Sequence, residues 1–398
     1  MTKRLAMVLG LIVLVGALVA ASAQAGHKTH KVTNVVVAGW SSGGDEDNLL
    51  QQVINVFNQT HSSVHATLQI INTNYSQAMT ARFAAHNPPD VFYVDSSVIG
   101  QWQKQGVIQS LNGFINKSHY NTKKFYPKLL GAFKHGKTVY GFPKDWSPLA
   151  TEVNNSMFAK AGLHAAPKTW AQLKSDAKAL QQHGVAHPIC LSADWARMGA
   201  FLYQNRGSLT KHLTSQANVR AVNFYVGLLK SGLAAQPSTL GVGWCGEALG
   251  KAKSAIIFEG NWVLPYMKST FPNVHYGVTP MVKGKAQGNL AFTVSYSMAK
   301  DSQNKQAAWT LLSWLTSKKG QTIWMSKGLS LPSRSDVKAI GGRAPFLKAA
   351  PFARGWGFGN PNFNNAYTVM GNDLTAVISG SKTTQQMLSD VAKALKGQ

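Results

Sequence analysis

Short apolar runs alternate with amphipathic helical stretches over almost the whole chain, and no Pro-, Gly- or Ser-rich linker interrupts them. That alternation constrains the fold more than any other feature. A strand whose chain must return to extend the same sheet needs a covering helix, so the pattern specifies an α/β architecture with a mostly parallel sheet. Asn34–Ala38 is a β-branched strand, and Leu49, Leu50, Val53, Ile54 and Phe57 then recur on one helical face. Asp45, Glu46 and Asp47 sit in the first turn of that helix, where the macrodipole favours negative charge. Strands Leu68–Ile71 and Val91–Val94 follow, with helices Tyr75–Ala85 and Ser97–Gln105 between and after them.

The second half repeats the pattern. Val139–Phe142 reads as a strand ended by Pro143, a passage between two bodies. Thr169 with Gln172 three residues on makes a capping box for a helix that Gly184 stops. Strands are expected at Ala255–Phe258, Tyr276–Val278 and Phe292–Ser297. A turn at Gly260-Asn261-Trp262 opens a helix over Val263–Ser269, interrupted at Pro265, and Asn304–Thr316 forms a further amphipathic helix. Without a linker, two bodies must be joined by several passages of the chain, which gives a stiff hinge and a cleft.

The N-terminus reads as an export signal: Lys3 and Arg4, an apolar run from Leu5 to Ala20, then Ala23-Gln24-Ala25 for cleavage. An uncleaved membrane tether is the alternative, and no Cys follows the run to carry a lipid. Residues 1–25 are thus assigned to a signal peptide. The remaining 373 residues exceed one comfortable core and suit two domains, exported to the periplasm or cell surface. Charge is lopsided, with 40 Lys and Arg against 15 Asp and Glu, a net +25. The cations are scattered, as at Lys123-Lys124, Lys251, Lys253, Lys283, Lys285 and Lys318-Lys319, and a nucleic-acid binder would gather them on one face among aromatics. No nucleic-acid partner is expected. A surface thinned of carboxylates fits an acidic external medium, where surface Asp is protonated and its pairs lose value, or else an anionic envelope. Cys190 and Cys245 permit one disulfide in an exported chain, with two buried thiols as the alternative.

Several short motifs then fall in a familiar order: Pro88-Pro89-Asp90-Val91-Phe92 leading to Gly106, Tyr140-Gly141-Phe142-Pro143 with Asp145-Trp146, and Pro167-Lys168-Thr169-Trp170. Gly260-Asn261-Trp262, Tyr276-Gly277-Val278 and Gly328-Leu329-Ser330-Leu331-Pro332-Ser333-Arg334 complete it. From about Val35 to the C-terminus the chain resembles the extracellular solute-binding proteins of bacterial ABC importers, in their sugar-binding, maltose-binding-protein-like group. The resemblance implies a two-lobed periplasmic-binding-protein fold of type II, the Venus-flytrap arrangement, with interlobe crossing strands. It assigns 32–142 plus 284–328 to an N-terminal lobe and 143–283 plus 329–398 to a C-terminal one. It also implies a monomer that captures a sugar or oligosaccharide, delivers it to a membrane permease, and catalyses nothing. Two departures stand out: the loop Trp40-Ser41-Ser42-Gly43-Gly44 has no Lys, and Ser97 replaces a sugar-contacting acid, with Asp95 two residues before.

A sugar presents hydroxyls at its edge and an apolar C–H face. Covering ~100 Å² of that face is worth roughly 2.5 kcal/mol at ~25 cal/mol/Å². Trp262 is the first candidate platform, followed by Trp40 and by Trp146 beside Asp145; Trp356 and Phe358 in Gly355–Gly359 make an aromatic rim. Core packing is the competing reading for each, and the favoured one for Trp170, Trp309, Trp314 and Trp324 at helical positions. With so few acids in the chain, those at turns are enriched for ligand duty: Asp45, Asp95, Asp145, Asp194 and Glu259. Ser42 and Asn261 supply further polar contacts, whereas Asp90 braces a strand and Asp336 and Asp390 belong to helix ends or the surface. No metal spacing among the His residues and no G-x-x-x-x-G-K phosphate loop is present, so no metal or cofactor is expected. Two rivals keep other chemistry open. A glycoside hydrolase would use Asp95 and Asp145 across the scissile bond, and a same-fold binder of a polyamine, peptide or anion would draw on acids or on Arg197 and Arg206.

Overall fold

A computed structural model describes residues 32–41, 44–327, 330–349, 351–357 and 359–398; the expected signal segment, Ser42, Leu329 and Phe358 lie outside them. In chain order the strands are β1 (Thr33–Trp40), β2 (Val64–Ile71), β3 (Val91–Asp95), β4 (Gly141–Pro148), β5 (Ala150–Asn154) and β6 (Ile189–Cys190). They continue as β7 (Ala234–Ala235), β8 (Ile256–Ile257), β9 (Tyr276–Pro280), β10 (Asn289–Met298), β11 (Leu331–Pro332) and β12 (Ala353–Gly355). A small separate hairpin pairs Lys134–His135 with Thr138–Val139.

Two sheets result. The first runs β11-β4-β10-β3-β1-β2, with β12 also on β10; the second runs β9-β5-β8-β6-β7. Both are mixed, which corrects the expectation of a mostly parallel sheet. β1 is parallel to β2 and β3, but β10 runs antiparallel to β3 and β4, and β5 antiparallel to β8 and β9. The reason lies in the connection. β10 arrives from the second sheet rather than through a covering helix, so nothing turns it to the direction of its neighbours.

Each sheet carries its own core. On the first, helix Gly44–Thr60 buries Leu49, Leu50, Val53, Ile54 and Phe57, and helix Lys305–Leu315 buries Trp309, Leu312 and Leu315. On the second, helices Trp195–Gln204, Gln216–Lys230, Phe363–Ser379 and Thr384–Lys396 join one large cluster around Phe201, Tyr225 and Phe258. The chain passes between the sheets at Leu149, between β9 and β10, and after β12. A small apolar cluster of Leu129, Trp146, Ala150, Ala291, Leu331, Phe346 and Ala353 packs where the passages meet.

Local chemistry departs from expectation at two prolines and one cap. β4 does not end at Phe142 but runs through Pro143 to Pro148. Its register against β10 slips between Val294 and Ser295, which pair with Asp145 and Pro143 and leave Lys144 as the extra residue of a bulge. A proline inside a sheet, lacking an N–H, is tolerated at such a bulge. Pro265 falls in the first turn of helix Val263–Thr270 and does not interrupt it, because the N–H it lacks has no intrahelical partner there. Thr169 caps its helix, yet Gln172 bonds the Lys168 N–H instead of completing the reciprocal box; the complete box is Thr383 with Gln386.

Candidate ligand-binding cleft

Between the two bodies lies a cleft of about 560 Å³, within the roughly 300–1,000 Å³ typical of small-molecule sites. Trp40, Asp45 and Glu46 come from the end of β1 and the helix after it, and Lys144–Ser147 from the back of the cleft. Trp244, Asn261, Trp262 and Tyr266 come from the second body, and Phe292–Val294 from β10.

The bulge in β4 shapes the floor. Successive side chains of a regular strand face opposite sides; here Lys144 and Asp145 both line the cleft. The Lys144 ammonium bonds Asp145 at 2.5 Å and Glu46 at 3.3 Å and lies over the rings of Trp324 and Tyr93, 4.2 and 5.0 Å from their centroids. Burial alone lowers a lysine pKa, but the Asp145 and Glu46 carboxylates outweigh it and hold this one above its ordinary value. The Trp324 indole N–H also donates to Asp145 Oδ2.

Trp262 is fixed from behind. Its Nε1–H donates to Glu259 Oε2 at 3.0 Å, and Arg197 Nη2 donates to the same oxygen at 2.7 Å. Arg197 also lies 5.9 Å from the Trp262 ring centroid and pairs with Asp194, the N-cap of helix Trp195–Gln204. Burial raises the Glu259 carboxyl pKa, against the pull of Arg197. Glu152 behind it, whose Oε2 accepts the Glu259 N–H, is raised well above the carboxylate range by burial.

Both cleft tryptophans of the second body lie over a glycine. A Cβ on Gly260 would come within 2.2 Å of the Trp262 ring, and one on Gly246 within 2.1 Å of the Trp244 ring. Trp244 immediately precedes Cys245, whose disulfide to Cys190 ties this rim to β6. Beside them Asn261 is buried, its backbone N–H bonded to Ser147 Oγ, and its Nδ2 has no hydrogen-bond partner among the described residues.

Of the residues singled out in the sequence, the cleft gathers Trp40, Asp45, Asp145, Trp146, Asn261 and Trp262. Trp146 presents little surface, since it is 3 % exposed, packs in the cluster between the bodies and donates to the Pro332 carbonyl. Asp95, Asp194, Glu259 and Trp356 do not line the cleft. Asp95 turns to the Ser97 N–H and hydroxyl, Asp194 caps a helix, Glu259 holds Trp262, and Trp356 packs on Phe363. Asp90 braces β1 through the Val36 N–H, as the sequence indicated. Lys144, Trp244, Tyr266 and Phe292 escaped sequence reasoning; a Trp two residues from a Gly was the available signal for Trp244, which shares it with Trp262.

Two α/β bodies, joined by three passages and closing on an aromatic, polar cleft, define a receptor that captures a small solute between lobes. Residues 40–322 match the family of bacterial extracellular solute-binding proteins, and the chain belongs to that family. A binding protein of Brucella abortus (strain 2308) is 23 % identical over 345 residues, covering 79 % of this chain and 81 % of that relative. Among solved structures, an ABC substrate-binding protein of Listeria monocytogenes in complex with cycloalternan superposes with a TM-score of 0.82 at 18 % identity, over 92 % of this chain and 98 % of that one. The GacH receptor of Streptomyces glaucescens, solved unliganded and with acarbose, gives 0.80 at 20 % identity, over 92 % and 99 %. The fold is that of the two-lobed type II periplasmic binding proteins.

Proposed function

We propose that the protein is the exported substrate-binding component of an ABC importer, that its ligand is a sugar or oligosaccharide, and that it acts on that ligand by binding alone. The observation that carries this reading is the wall of the cleft. Indole and phenol rings from Trp40, Trp244, Trp262 and Tyr266 stand beside the buried Asn261 Nδ2, which has no hydrogen-bond partner among the described residues, and the exposed carboxylate of Asp45. Flat apolar faces beside open hydrogen-bonding groups match the two faces of a pyranose. Ligand contacts made from both lobes favour the closed form by differential affinity, the state a permease would recognise. The two lobes would move about the passages near Leu149, with the chain acting as a monomer at the cell surface or in the periplasm; β4, β11 and β12 belong to the first sheet, so the bounds 143–283 plus 329–398 expected from the sequence give the second lobe too much. The similar Listeria and Streptomyces proteins were solved with cycloalternan and acarbose, both saccharides.

The hydrolase rival has little support. Asp95 and Asp145 both register on Val294, from opposite sides of β10, so two strand spacings of about 4.8 Å separate their backbones. One carboxylate turns to Ser97 and the other to Lys144. A thermal-shift screen over mono- and oligosaccharides tests the proposal, because a ligand of the native state raises the melting temperature by mass action. Saccharide-dependent stabilisation with the sugar recovered unchanged is expected; product formation, or no stabilisation by any saccharide, overturns it.

A further inference from the structure

Beside the cleft, and sharing Asp45, Pro265 and Ser269 with it, lies a second recess of about 690 Å³. Its walls again come from both bodies. Lys327 follows helix Lys318–Met325 on the first, while Lys268 in helix Val263–Thr270 and Arg343 stand on the other side. Three cations and a single carboxylate, Asp45, line this space. None of the three cations forms an ion pair among the described residues, although nearly every carboxylate of the chain is bonded.

Arg343 makes the recess more than a basic surface. It is only 8 % exposed, its Nη1 donates to the Gly341 carbonyl, and its Nε–H is buried with no partner. A guanidinium has five donors in a fixed fork suited to a carboxylate or sulfate. Leaving one buried without an acceptor or a counter-charge is costly. Burial accordingly depresses the Arg343 pKa.

We propose that this recess is an anion subsite continuous with the cleft, and that the saccharide captured carries an acidic substituent, a carboxylate or sulfate, bound by Arg343, Lys268 and Lys327. This rests on the saccharide reading above and narrows it. The cations stand on both lobes, so the acidic group contributes to closure as well as to affinity.

The test uses the full exported chain and matched ligands: uronic-acid oligosaccharides of the gluco, galacto and manno series, each beside its neutral methyl ester. Binding is measured by calorimetry at low and at 0.3 M salt. At least one acid binds tenfold or more tighter than its ester, and salt erodes that advantage. Lys268→Gln and Arg343→Gln abolish the preference and leave ester binding within twofold. Should Arg343→Gln fail to fold, the exposed Lys268→Gln and Lys327→Gln carry the same expectation. Equal binding of acid and ester by the unaltered protein overturns the subsite while the saccharide reading stands, and so does a preference that none of the variants reduces. Sulfate alone stabilising the protein as strongly as an acidic saccharide assigns the recess to a free anion and overturns the substituent. No binding of acid or ester, with a neutral saccharide stabilising the protein in the thermal-shift screen, overturns the acidic substituent and leaves the saccharide reading standing; stabilisation by no saccharide at all overturns that reading itself.

Discussion

At the scale of single residues, Trp262 and Lys144 do different work in one cleft. Trp262 offers a ring face held by Glu259 and Arg197. Trp262→Ala should weaken saccharide binding at least tenfold, since ~100 Å² of stacked face is worth roughly 2.5 kcal/mol. Calorimetry reads the loss, and unchanged affinity would remove Trp262 from the site. Lys144 neutralises the floor instead. Removing one partner of a buried ion pair strands the others and costs about 3–5 kcal/mol. Lys144→Met, which leaves Asp145 and Glu46 without their shared cation, should therefore lower the melting temperature by several degrees in calorimetric scans; an unshifted transition would refute the clamp.

At the scale of elements, the turns that hold the aromatic rim decide the geometry. Gly260→Ala places a methyl group against the Trp262 ring, so affinity should fall with little change in stability, and a bound structure would show the indole displaced. The Cys190–Cys245 bridge spans a sequence separation of 55, which in the chain-entropy account is worth about 4 kcal/mol. Cys190→Ser with Cys245→Ser should lower both thermal stability and affinity, because Trp244 loses its tie to β6. Most elements were legible in the sequence because periodicity and punctuation agree: the Leu49–Phe57 face, the Gly184 stop and the strands around Val37 and Val91 are local signals. The cleft was legible where an aromatic follows a strand end, as at Trp40 and Trp262. It was not legible at Lys144, whose orientation comes from a bulge set by β10, about 150 residues away in sequence. Asp95 and Asp194 misled for a related reason: a carboxylate at a turn caps backbone N–H groups as readily as it meets a ligand.

At the scale of the whole molecule, the scarcity of acids sets the response to pH. Burial raises the carboxyl pKa of Asp95, Glu152, Asp176, Asp194 and Glu259, whereas hydrogen bonds from Lys or Arg lower those of Glu247, Asp336 and Asp390. A carboxyl raised in the folded state penalises folding at neutral pH. That penalty is relieved as pH falls through the raised value towards the unfolded pKa near ~4. The lowered group works the other way, losing its contribution only as pH drops below ~4 through the folded values, and all three side chains are only partly buried, where salt bridges count for little. The melting temperature at pH 4.5 should therefore stay within a few degrees of that at pH 7 in 0.15 M salt; a collapse between pH 5 and 4 would end the acidic-medium reading. The position of β10 has another outcome. It joins β3 to β4 in the first sheet, yet it is synthesised roughly 200 residues after β3. No nascent fragment lacking it can close that sheet, and pairings so distant form slowly. In a chain of an extracellular family, the first sheet is therefore completed only after most of the length has been made.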